Sequence, residues 1–215
     1  MTLETAQILL GLILETVLLA ILLWRRVYAT HPCFLINLAV GLVLDSIWFF
    51  LVHYAPQQEL AFWAVQISVT LINTAAVLLE AAHTLQTNNP GKRPQSFLGI
   101  FFFLVAGFAI WLLSPWTPPS NITLLALFAV RMNQAFAISL LAGILGLVWW
   151  SNVEKLRWPS RTMHIINGLA FYAVIAVAVH LIHIHQALGP AYHIADQIAA
   201  ASYLGSLSYW IYYFA

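Results

Sequence analysis

Seven of the eight Lys and Arg residues sit in three short breaks between long apolar runs, and these are alternate breaks along the chain. The basic breaks are Trp24-Arg25-Arg26, Pro90-Gly91-Lys92-Arg93-Pro94 and the stretch from Asn152 to Arg161. The intervening breaks, around Tyr54 to Gln58, Ser114 to Asn121 and Gln186 to Tyr192, hold no Lys or Arg. A chain threaded back and forth through a bilayer keeps its basic residues on the cytoplasmic side. The alternation therefore predicts an all-α polytopic membrane protein, with its N-terminus outside and its C-terminus cytoplasmic.

Composition supports the same class. Of 215 residues, 62% are hydrophobic and only 7% charged, whereas about a quarter are charged in soluble domains. Mean hydropathy is +0.88. Too little polar surface remains for a separate soluble domain, so residues 1–215 read as a single transmembrane domain. The net charge of +1 sits at membrane boundaries and implies no nucleic-acid partner. Cys33, the single cysteine, excludes an internal disulfide and a Cys-based metal cluster. Glu4 precedes the first apolar run and the Arg pair follows it, the reverse of a secretory signal, so this run is expected to remain as an anchor. The expected location is the cell membrane.

A helix needs roughly 20 apolar residues to cross the hydrocarbon layer. On that measure the chain divides into seven spans, at about 5–26, 31–54, 59–86, 96–115, 121–150, 162–186 and 192–214. Pro32, Pro56, Pro90, Pro115, Pro159 and Pro190 mark starts and stops. Most of the tryptophans, Trp24, Trp149 and Trp210 among them, fall near span ends, where an interfacial aromatic belt would lie. Laying the second span on the sixth aligns Ile36-Asn37 with Ile166-Asn167 and His53 with His183. Two parallel three-helix repeats joined by one linking helix would fit this match.

Ionisable groups at bilayer depth are costly and mark candidate sites. Glu15, Asp45, Glu80, Asp196 and Arg131 qualify. At about 1.5 Å of rise per residue, Glu15, Asp45 and Arg131 come out at similar depth, close enough to meet. Gln66, Thr70, Asn73 and Glu80 share one face of the third span. They would serve either as interhelical hydrogen-bonding groups or as a polar lane walled on its other side by Asn133 and Gln134.

Eight histidines make a second set. His53, His180, His183, His185 and His193 fall on the outer side with Asp196, and His31, His83 and His164 on the inner side. Imidazoles with a carboxylate suit zinc, iron or copper, although no His-Glu-x-x-His motif or Cys pair is present. Axial pairs of His83 with His164, and of His53 with His180 or His183, would alternatively hold two b-type haems.

Known seven-helix families do not carry over. Retinal proteins need a Lys in the last span, and Lys92 and Lys155 both lie in breaks, so no retinal is expected. The three-plus-one-plus-three layout resembles sugar transporters of the SWEET type, but their Pro-Gln signature is missing from the spans. The leading expectation is a non-enzymatic membrane protein with a small-ligand or ion pocket in its outer half, acting as a sensor or as the membrane subunit of a larger assembly with a protein partner. A proton-coupled or small-solute transporter, a dihaem electron carrier and a membrane zinc hydrolase are the alternatives.

Overall fold

The structure, a computed structural model, describes residues 3–90, 105, 107, 124–184 and 190–215. Six helices make up these residues: α1 (Leu3–Trp24), α2 (Pro32–Tyr54), α3 (Glu59–Thr87), α4 (Leu124–Val153), α5 (Ser160–Ile184) and α6 (Pro190–Phe214). Each coincides with an expected span to within a few residues. The fourth expected span, 96–115, lies outside the described residues except at 105 and 107, both helical. There is no strand among the described residues.

Local chemistry explains the helix ends. Pro32 and Pro190 occupy first helical positions, where a missing N–H costs nothing. Arg26 and Lys155, just past the ends of α1 and α4, adopt left-handed backbone with φ of 54° and 52°. That conformation costs a non-glycine residue about 1–2 kcal/mol, and it turns the chain out of the helix beside its negative C-terminal pole, where a cation is favoured.

Successive helices pack side by side, and α6 closes back on α1, so the described helices form a ring in chain order. α3 also reaches across to α5. Leu18, Phe34, Leu78, Leu140, Ile165 and Leu207, one from each helix, meet in a shared apolar core. The outer surface is equally apolar: Ile13 is 60% exposed and Ile72 68%, and Phe50, Phe171 and Val174 are also exposed. A surface of this kind suits hydrocarbon rather than water. Five helices, α1 to α5, are long and apolar enough to cross a membrane, the make-up of a multi-pass membrane protein. α6 has the length, while Tyr203, Ser206, Tyr209 and Tyr213 in its second half are used to bond its neighbours.

One end of the ring is tied by hydrogen bonds between helix ends. The Arg25 guanidinium donates to the carbonyl of Ala215. Asn89 Oδ1 accepts from the Arg157 amide at 3.0 Å, and the Asn88 and Asn89 side chains donate to the Arg157 carbonyl at 3.2 and 3.1 Å. His31 Nε2 lies 3.4 Å from Thr162 Oγ1. The basic residues that leave α1 and α4 thus share one end of the bundle, as the charge alternation requires. Lys92 and Arg93 lie outside the described residues.

Candidate functional site

Glu15 sits near the middle of α1 and is completely buried. Its Oε1 accepts a 2.5 Å hydrogen bond from the Tyr203 hydroxyl of α6, so it is held across the α1–α6 seam that closes the ring. Asp45, near the middle of α2, accepts from Gln66 Nε2 of α3 at 2.7 Å. The two carboxyls act on each other directly. From α5, Tyr172 feels the charge of Asp45 and packs edge-on against Tyr203, with ring centroids 5.9 Å apart. Phe136 of α4 meets Tyr172 from the far side, at 6.4 Å. Every helix of the ring therefore contributes one side chain to a single mid-depth constellation.

Two further features define it. Gly41, one turn before Asp45, leaves the α2 backbone bare over the site; a Cβ there would stand 3.7 Å from Glu15 Oε1 and 3.9 Å from the Tyr203 hydroxyl. Glu15 Oε2 is buried with no hydrogen-bond partner. A buried polar atom left unsatisfied is rare and costs about 1–3 kcal/mol. The carboxyls are acted on by burial, by each other, by Tyr203 and by Gln66.

Of the three groups expected to meet at this depth, the structure joins Glu15 and Asp45. Arg131 is half-buried on α4, whose ring neighbours are α3 and α5. The polar face of α3 does not form a lane. Gln66 and Glu80 make two separate joints to α2, while Asn73 and Asn133 are half-buried and Gln134 is buried. The crevice between α3 and α4, lined by Leu71, Thr74, Leu78, Phe136 and Ser139, has a volume of about 10 Å³, room for about one water molecule and far below the roughly 300 to 1,000 Å³ of ligand pockets.

Glu80 performs structural chemistry. His31 precedes α2 without capping it through its side chain, and Pro32 has no N–H, so the next amides need an acceptor. Glu80 supplies it from α3: Oε1 accepts from Cys33 N at 2.7 Å and Oε2 from Phe34 N at 3.2 Å. The positive pole of α2 favours this carboxylate, and buried His31 Nδ1 stands 3.7 Å from Oε2. This is a helix cap delivered by a neighbouring helix.

Four of the described histidines can be placed one by one. His83 and His53 are exposed, and His53 Nδ1 lies 2.8 Å from the Phe49 carbonyl of its own helix. His164 hydrogen-bonds the Tyr209 hydroxyl and stacks on Tyr213, which places it in an aromatic seam between α5 and α6. His180 is half-buried on α5, which is not flanked by α2 in the ring. Among the described residues no three His, Cys, Asp or Glu side chains come together as a metal would require. The side chains of His183, His185, His193 and Asp196 lie outside the described residues. Trp210 does not join an interfacial belt: it is 3% exposed and donates to the His164 carbonyl at 3.1 Å.

Tyr203, Tyr172 and Gly41 were not singled out by the sequence. A tyrosine in an aromatic-rich helix carries no mark of its partner, and the partner here is 188 residues away. Comparison with known protein families, with characterised proteins and with solved structures finds no match for this chain.

Proposed function

We propose that this protein is an ion-coupled carrier of a small solute in the cell membrane, with Glu15 and Asp45 as its coupling site. The observation that supports this reading is the pairing of two carboxyls on different helices, buried Glu15 and half-buried Asp45, each near the middle of its helix. Two negative charges cannot both persist in a low-dielectric interior without compensation. A positive charge must therefore enter, as a proton or a small cation, and its arrival changes the attraction between α1, α2 and α6. Intramembrane acids arranged in this way are characteristic of proton and ion pathways.

Glu15 and Asp45 each fall near the middle of their helices, and a carrier binds its ligands near the midplane. The ring also divides into two three-helix halves, α1 to α3 and α4 to α6, which meet where α6 closes on α1 and where α3 packs on α4. The inner basic end would face the cytoplasm, and a seventh span over 96–115 would complete the crossing count.

The test is electrical. Proteoliposomes adsorbed on a solid-supported membrane are exposed to a panel of sugars, amino acids and organic acids. A solute-evoked transient current is expected from the wild-type protein, falling at least about tenfold in Glu15→Gln and Asp45→Asn. Currents equal in the wild type and both variants would refute the reading, as would no current with any solute.

A further inference from the structure

We infer that the outward face of α5 is a self-association surface, on which two copies of this chain pair about a two-fold axis beside Asn167. Met163, Asn167, Phe171, Val174 and Ala178 are all exposed. Their spacings of four, four, three and four residues follow the helical repeat and set them in one stripe. Apolar members of the stripe suit lipid. Asn167 does not: it lies seven residues into α5, about 10 Å along the axis at 1.5 Å per residue. Its short side chain cannot extend to the rim as a long arginine does. Thr16, Ser46 and Ser208 also face outward, but each hydroxyl donates to the carbonyl four residues back on its own helix, at 2.7, 2.6 and 2.9 Å. Asn167 has no hydrogen-bond partner among the described residues. Its amide oxygen finds none on α5, because the N–H groups of a helix interior are already committed to carbonyls one turn back.

An amide left unsatisfied in hydrocarbon is costly, and carboxamides that bond across helices relieve the cost. A second copy is the partner these observations select. Inserted with the same orientation, it carries the same amide at the same depth, so a two-fold axis along the membrane normal brings the two side chains face to face. A carboxamide is both donor and acceptor. Each Asn167 then donates to the oxygen of the other, and both groups are paired at once. Met163, Phe171, Val174 and Ala178 flank the pair and pack along the seam. A single polar pair in an otherwise apolar seam fixes the register and the number of copies.

The experiment uses a Cys33→Ser background with either Val174→Cys, inside the stripe, or Val43→Cys, exposed on α2 across the ring from α5. Each protein is reconstituted in liposomes at a series of protein-to-lipid ratios and given a brief oxidation pulse, and disulfide-linked dimer is read by non-reducing electrophoresis. Val174→Cys is expected to cross-link and Val43→Cys is not. Adding Asn167→Leu or Asn167→Ala is expected to raise the protein-to-lipid ratio for half-maximal cross-linking about tenfold. Both substitutions lie on the outer face, so the thermal unfolding midpoint of the monomer in dilute detergent is expected to stay at the wild-type value. A lower midpoint would show that Asn167 is bonded within its own chain, and would overturn the inference. So would Val174→Cys that stays monomeric at every ratio, Val43→Cys that cross-links as readily, or cross-linking that is indifferent to the loss of the amide.

Discussion

Two acids inside this protein have opposite fates, and the difference lies in what each carboxylate touches. Glu80 has both oxygens on the amides of Cys33 and Phe34 and a histidine nearby; Glu15 has one oxygen on Tyr203 and interacts with a second carboxyl, Asp45. The first satisfies a helix end; the second belongs to a carboxyl pair inside the bundle. Glu80→Ala leaves the part-buried amides of Cys33 and Phe34 without their acceptor, so a loss of about 1–3 kcal/mol is expected, read as a lower thermal unfolding midpoint in detergent. Glu80→Gln is expected to recover part of that loss, because its amide oxygen still accepts one bond. Solute-evoked current in Glu80→Gln is expected to match the wild type wherever the protein is folded, whereas Glu15→Gln removes it. The cost of burying charge made both acids legible in the sequence as important. Their roles were not legible, because Glu80 meets its partners 46 and 47 residues away.

Between elements, the closest packing lies on the α5–α6 seam. A Cβ on Gly168 would overlap the Trp210 indole, which is itself buried and hydrogen-bonded to the His164 carbonyl. Ser206 adds a 2.9 Å bond to the Gly168 carbonyl. Small residues that let helices approach, together with polar side chains bonding across the gap, are the usual means of association where lipid removes the hydrophobic driving force. Gly168→Ala is therefore expected to destabilise by about 1–3 kcal/mol and to shift tryptophan fluorescence. Gly11→Ala, whose new methyl would meet only Leu204 Cδ2 at 3.7 Å, is expected to leave both unchanged. Helix bounds were readable to within a few residues because hydropathy, Pro and basic residues all fall at the same places. The seams were not, since the α1–α6 contact depends on ring closure, and hydropathy records length and depth but not which side chains of α5 and α6 face each other. The aromatic run from Tyr209 to Phe214 shows this limit: Trp210 and Phe214 are core, while Tyr212 is 87% exposed.

At the scale of the whole molecule, the described helices form a ring with an apolar exterior, bring Glu15, Asp45 and Tyr203 together inside it and tie the helix ends near Arg25 and Arg157 at one rim. A carrier role depends on that orientation in lipid, since mid-depth has meaning only if the two rims face opposite aqueous phases. The direct measurement uses a Cys33→Ser background with single cysteines placed at Arg25, Lys92, Lys155 and Gln57, each treated in intact cells with a membrane-impermeant maleimide. Labelling from outside at position 57 alone, with 25, 92 and 155 reactive only after the membrane is opened, is the expected result. If 25, 92 and 155 divided between the two faces, the threading and the coupling site would both be contradicted.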